Sequence, residues 1–410
     1  MASSTWGGRP PPGRWHALAG LASAKFLALS TWFSASSVVL ELEDAWSLTP
    51  GTASMLTIAV QFGFVVGALV SAALSLADRF PPRRVMAFGA LGAAAANAGL
   101  LFVSAAGPAI ALRFVTGACL AAVYPPAMKA MATWFRRGRG LALGVMVGAL
   151  TLGSALPHLV RGLGGLDWQL VVIVTSLATV AGGVIALLGS DGPYPFPQAP
   201  FRPGDALRVA RDRRVRLASY GYFGHMWELY ALWAWAVAYL TASFQQVGLR
   251  EPDVAAAFGA FAVVGIGTLG CVAGGVLADR RSRTWLTSLA MTLSGASAAV
   301  AGLVWGLHPV VVMAVMLFWG FWVVADSAQF STLVTEVADQ RYVGTALTLQ
   351  LALGFIFTVV TIWLIPLLVE AVGWRWAFLV LVPGPLLGTL AMRLLARELG
   401  EPRGQAAHVP

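Results

Sequence analysis

The chain has 410 residues, 58% of them hydrophobic and only 11% charged, with a net charge of +9. A water-soluble domain of that size would lack the polar surface needed to meet water, so composition excludes one. A spanning helix takes roughly 20 apolar residues, and a chain of this length with short loops holds about a dozen of them.

Helix 1 is expected over about 15–40, followed by an acidic loop, Glu41-Leu-Glu43-Asp44, that contains no Lys or Arg. Helix 2 covers about 52–76 and carries Gly63 and Gly67 four residues apart, a spacing that lets helix backbones approach closely in lipid. Helices 3 and 4 follow at about 84–104 and 109–133, separated by a Gly107-Pro108 turn. Helix 5, at about 140–160, is rich in glycine, and helix 6 runs over about 169–188. Residues 190–216 interrupt the pattern, opening with Pro193, Pro195, Pro197 and Pro200 and closing on a run of arginines, which excludes a membrane span. Six more helices are expected at about 217–243, 254–277, 285–306, 310–334, 342–368 and 376–396. The domains predicted are a tail (1–14), a six-helix bundle (15–189), a linker (190–216), a second six-helix bundle (217–397) and a tail (398–410).

Charge placement fixes the expected topology. Of the 27 Lys and Arg, 21 fall in segments that share one side of the membrane. Arg161, Arg250 and Arg375 fall on the other side, and Lys25, Arg113 and Lys129 lie within helices. By the positive-inside rule both termini are cytoplasmic, in a plasma (inner) membrane. The basic balance thus reports topology and contact with anionic lipid rather than nucleic acid. Cys119 and Cys271 read as apolar packing residues, and no cleavable leader is expected.

One loop occurs twice. Leu74-Ser-Leu-Ala-Asp78-Arg79-Phe-Pro-Pro-Arg83-Arg84 follows helix 2, and Gly275-Val-Leu-Ala-Asp279-Arg280-Arg281-Ser-Arg283 follows helix 8. The two aspartates are 201 residues apart, about half the chain, as expected for two copies of one membrane unit. Asp167-Trp168 and Gly373-Trp374 repeat at a distance of 206. Lys25 in helix 1 and Glu228 in helix 7 repeat at 203, so the halves place opposite charges at one depth, roughly mid-membrane.

The doubled loop resembles the one between the second and third helices of major facilitator superfamily transporters, and its echo between the eighth and ninth. The resemblance covers about 15–397 and implies an all-α membrane fold of twelve helices in two pseudo-symmetric bundles, of bacterial type. It implies a central cavity lined by helices 1, 4, 7 and 10, and a lock on the cytoplasmic side made by the Asp-Arg loops. The gating residues would be Asp78, Arg79, Arg83, Asp279, Arg280 and Arg283. The first loop departs from the family pattern, with Leu74 where glycine is usual and Pro81-Pro82 after the arginine. Arg113-Phe-Val-Thr-Gly117 matches the family's helix 4 motif, which implies a part for Arg113 in proton coupling or substrate binding.

Charges inside the hydrocarbon cost several kcal/mol unless they meet water or a partner, so Lys25, Arg113, Glu228 and Asp326 are the candidate functional residues. Lys25 and Glu228 could instead pair and hold the halves together. His225 lies three residues before Glu228 on the same helix face, and a buried carboxylate beside an imidazole can take up and pass on a proton. Gln329 extends the polar stripe of Asp326 by one turn, and Trp227 and Tyr230 flank Glu228 as candidate substrate contacts. The expected function is proton-coupled secondary transport of a small solute by a monomer, with an organic or inorganic anion weakly favoured by Lys25 and Arg113. The alternatives are an exporter of drug-like or cationic compounds and a non-transporting receptor. No nucleotide loop, metal cluster or nucleophile constellation is apparent, so neither an enzyme nor a cofactor is expected.

Overall fold

The computed structural model describes residues 11–135, 139–194 and 203–401. Among these residues there is no strand, and ten helices are long and apolar enough to cross a membrane. Helix 2 is Pro50–Ala73, helix 3 Pro82–Ala98, helix 5 Arg139–Leu163 and helix 6 Trp168–Leu188. Helix 7 is Arg213–Gln246, helix 9 Arg283–Val304 and helix 11 Val343–Val372. Starts follow the local chemistry: Asp167, Asp212 and Ser282 accept backbone N–H groups of the first turns of helices 6, 7 and 9. Helices 2 and 3 open on proline, which lacks the N–H that a first turn cannot use.

Five crossings are broken where the sequence pattern predicts continuous or simpler helices. Helix 1 is Arg14–Ala28, two 3₁₀ turns at Leu29–Thr31 and Ser36–Val38, and then Val39–Trp46. The reason is the serine-rich run 30–37. Ser30, Ser34 and Ser37 donate hydroxyls to the carbonyls of Leu27, Thr31 and Ser34 at 2.8, 3.1 and 2.9 Å, competing with the helical ladder. Helix 4 is Ala106–Leu120 and Tyr124–Ala132, and helix 10 is Pro309–Ala325 and Ser327–Val337 with Asp326 at the break. Helix 8 is Pro252–Gly265 and Gly267–Arg280. Helix 12 is Trp374–Ala377, a 3₁₀ turn Phe378–Leu381, and Pro383–Glu398.

The twofold repeat is visible in the packing. Helix 2 lies on helix 4 as helix 8 lies on helix 10, helix 1 on helices 5 and 6 as helix 7 on helices 11 and 12. Gly63 and Gly67 abut the carbonyls of Phe114 and Ala118 so closely that a Cβ would stand 2.0 and 2.4 Å from them. Gly270 and Gly274 do the same to Phe321 and Ala325, at 2.1 and 1.9 Å. These glycines therefore set backbone-to-backbone contact inside each half. The halves meet along helix 5 against helix 8 and helix 2 against helix 11. Large apolar side chains such as Phe88, Phe102, Leu177 and Leu188 point outward, as a lipid-facing surface requires.

The two ends of the bundle differ in charge. One carries the Asp-Arg loops and a short linker helix, Ala206–Arg211, whose Arg208 bonds the Tyr342 hydroxyl at the start of helix 11. It is called the basic face below. The other holds Glu41, Glu43, Asp44, Asp253 and Glu370 and is called the acidic face.

Candidate functional site

Along helix 7, from the basic face inward, come His225, Glu228, Tyr230, Trp233 and Trp235, all buried. The Glu228 carboxylate sits in the core of the second half. Its Oε1 accepts from Trp319 Nε1 and its Oε2 from Ser294 Oγ, both at 2.7 Å. One turn below, His225 Nδ1 lies 3.0 Å from Asp326 Oδ1, both side chains being 1% exposed. The contact is off the line of a hydrogen bond, and Asp326 Oδ2 and His225 Nε2 have no hydrogen-bond partner among the described residues. The break in helix 10 puts Asp326 there, and the next turn presents Gln329, whose Oε1 accepts from Arg283 Nη1 at 2.6 Å. Arg283 also bonds Glu336 at 2.9 Å. A polar file therefore runs through the second half from Glu228 past His225, Asp326 and Gln329 to the second Asp-Arg loop.

Lys25 and Glu228 share a level but do not pair. The Lys25 ammonium, fully buried, stands 3.9 Å from the centre of the Tyr124 ring and 3.5 Å from Met128 Sδ. Among the described residues no oxygen acceptor meets it. Tyr124 begins the second segment of helix 4, so Lys25 faces the break in helix 4, while in the second half His225, one turn from Glu228, meets the break in helix 10 at Asp326.

Arg113 is engaged differently from what its charge suggests. Its Nε donates to Leu56 O at 3.3 Å, and its Nη1 to Thr31 O at 2.9 Å, Ser34 Oγ at 3.0 Å and Asn97 Oδ1 at 3.2 Å. Nη2 donates to Trp32 O. The guanidinium fork thus caps the Trp32 carbonyl, which the break in helix 1 leaves without a backbone donor, and adds a donor to that of Thr31; an unmet carbonyl costs several kcal/mol in a hydrocarbon setting. Trp227 faces away from the centre, donating its indole N–H to Val380 O of helix 12 at 2.8 Å.

Between the charged level and the acidic face lies a layer of rings from both halves. Trp32, Phe33 and Phe64 of the first half meet Tyr230, Trp233 and Phe355 of the second. Centroid separations include 4.7 Å for Phe64 to Phe355, 5.8 Å for Trp32 to Tyr230 and 5.9 Å for Phe33 to Trp233. Above the layer a cavity of about 570 Å³ lies between the halves, with Trp235 and Thr241 at its buried end and Asp44 and Glu370 at its exposed mouth. Arg161 on its wall is 1% exposed, bonds Glu41 at 2.6 Å and reaches the Asp253 carbonyl of helix 8 at 3.4 Å. Burial, and then Asp44 beside it, hold the Glu43 carboxyl above its ordinary range.

At the basic face the seam is tight. The Asp279 carboxylate rests against Gly140, the second residue of helix 5, where the positive end of the helix favours it; a Cβ at Gly140 would stand 2.3 Å from Asp279 Oδ2. Gly144 touches the Cys271 carbonyl in the same way. Arg83 donates to Gly189 O at 3.1 Å and lies 3.7 Å from Asp191, tying the first loop to the end of helix 6. Arg79 and Arg280 are exposed. The side chain of Asp78 lies outside the described residues.

Sequence reasoning missed Trp319, Ser294 and the ring layer, because apolar and aromatic residues in a membrane helix carry no mark of what they face. The serine-rich run 30–37 was the available signal for the break in helix 1, and through it for the task of Arg113.

The sequence profile described as the Major Facilitator Superfamily matches residues 21–361, and the chain belongs to that family of membrane transporters. No curated protein sequence matches it. Among solved structures it is similar to a bacterial homologue of the human lysosomal transporter Spinster in an inward-facing, unoccupied conformation. The TM-score is 0.70 at 13% identity, covering 96% of this chain and 99% of that one. The inward-facing, occupied form of such a homologue gives a TM-score of 0.66 at 15% identity, covering 95% and 98%. At these identities the likeness is one of fold.

Proposed function

We propose that the protein is a proton-coupled secondary transporter that carries a small solute by alternating access, as a monomer, with its basic face in the cytoplasm of a bacterial cell. The arrangement of Glu228 carries the coupling. Its carboxylate is buried among neutral donors, with no cation beside it among the described residues, one turn from the His225–Asp326 contact. A buried carboxylate without a counter-charge is held by exchanging a proton, and the polar file toward Arg283 offers it a way to the basic face. The glycine seam and Asp279 close that face while a cavity remains at the other, the arrangement expected of one of two alternating states.

The test is uptake into proteoliposomes. A pH gradient should drive accumulation of the solute against its gradient. Glu228→Gln should abolish that accumulation yet retain solute exchange; uphill accumulation by Glu228→Gln at the parent rate would contradict the coupling role.

The cargo reading rests on Lys25, a buried cation without an oxygen partner among the described residues, which supports an anion. Arg113 does not add to it, since its fork is taken up by carbonyls. The acidic mouth supports the second reading, a cationic compound, because among the described residues that line it five carboxylates face one cation, Arg161. Counterflow with matched anion and cation panels separates the two.

A further inference from the structure

Lys25 and the ring layer form one continuous surface. The ammonium lies on Tyr124, and the Tyr124 ring is 6.4 Å from Phe64, which belongs to the layer. The unpaired charge and the aromatic contacts between halves are therefore one ring apart. Two further polar groups there are buried and have no partner among the described residues: the Trp32 indole N–H, and both ends of the Gln61 amide, one turn before Phe64 on helix 2. Buried polar atoms are ordinarily satisfied, so groups left open where two moving halves meet point to a ligand that completes them.

We infer that the cargo is an aryl-substituted organic acid, bound with its acid group on Lys25 and its planar body among Trp32, Phe64, Tyr230 and Phe355. The inference rests on the proposed transport function and narrows its cargo. Three features carry it. The ammonium has a cation–π contact but no anion among the described residues, and an oxyanion supplies the charge-assisted bond it lacks. Alternating access must part Trp32 and Phe64 from Tyr230 and Phe355, baring ring faces to water. A planar apolar body covers those faces and replaces ring-on-ring contact with ring-on-ligand contact. The Trp32 N–H and Gln61 amide then offer donors to a polar atom on the same ligand. An aliphatic acid would satisfy Lys25 and leave the rings bare, and a neutral arene would do the reverse.

The test is calorimetric titration of the purified full chain with four probes of similar size: phenylacetate, butyrate, phenylacetamide and phenethylamine. Phenylacetate should bind on the order of tenfold or more tighter than the other three. Lys25→Gln should reduce phenylacetate to the level of phenylacetamide without changing the latter, and Lys25→Arg should keep most of the affinity. Phe355→Leu should weaken phenylacetate and leave butyrate unchanged. The four-probe ranking on the parent protein stands even where a variant does not fold. Butyrate, the amide or the amine binding as tightly as phenylacetate overturns the inference, as does binding of none of the four. Phenylacetate binding without uptake under a pH gradient overturns the transport function and leaves the binding site in place. Uphill accumulation of a non-aromatic acid, with no competition by phenylacetate, overturns the cargo class and leaves the transport function.

Discussion

Single residues in this protein are best understood by what they would leave behind. Removing the Arg113 side chain strands the Trp32 carbonyl, which has no other donor among the described residues, and takes a donor from the carbonyls of Thr31 and Leu56 in a dry interior. Each buried acceptor without a donor costs about 1–3 kcal/mol, so Arg113→Ala should lower the unfolding midpoint by several degrees in a thermal scan, solute or no solute. Arg113→Lys should recover little, since one ammonium cannot span acceptors set for a planar fork. Full stability in Arg113→Ala would mean that the break in helix 1 holds itself. Glu43 acts in the opposite sense. Burial and Asp44 hold its carboxyl above the ordinary range, so the folded protein keeps that proton to a higher pH than the unfolded chain does. Its ionised form therefore weighs against folding at neutral pH, and the burden lifts as pH falls through the folded value. Glu43→Gln should raise the thermal midpoint at pH 7 and converge with the parent near pH 4. An unchanged difference across that range would contradict the assignment.

At the scale of elements, the decisive contacts are the seam of helix 5 with helix 8 and the breaks in helices 4 and 10. Gly140→Leu would drive a side chain into the Asp279 carboxylate at the basic face. The expected outcome is a wedge: the basic face opens, the acidic cavity shrinks, and single cysteines at the basic face react faster with a water-soluble maleimide. Unchanged reactivity would show that the seam bends without opening. Asp279→Asn, which keeps the shape and removes the charge, should speed opening of the same face with the fold intact, read by the same labelling.

These elements also show how far the sequence could be followed. The doubled Asp-Arg loops, the 201–206 spacing and the apolar runs mark the repeat, because loop charge and helix length are read directly against the bilayer. Lys25, His225, Glu228, Asp326 and Gln329 stand out because a polar group in hydrocarbon has few bland explanations. Their partners do not. Glu228 binds Trp319 and Ser294 rather than Lys25, and Arg113 serves carbonyls rather than an anion, since side-chain direction depends on helix rotation and on breaks in the ladder. Gly63, Gly67, Gly270 and Gly274 pack within each half, whereas Gly140, Gly144, Gly148 and Gly275 make the close contacts across the seam, a division that composition does not mark.

The whole molecule is a pair of bundles with a charged level, a ring layer and an acidic cavity stacked between them. Under the proposed function, protonation at Glu228 sets which face is open. Double electron–electron resonance tests that most directly, with Cys119 and Cys271 replaced by serine. One spin-label pair is placed at Asp44 and Glu370 on the acidic face and another at Arg79 and Arg341 on the basic face, all four sites being exposed. Between pH 8 and pH 5 one pair should lengthen as the other shortens, and Glu228→Gln should hold both distances at a single value throughout. Two pairs that stay fixed, or a Glu228→Gln protein that still follows pH as the parent does, would contradict it.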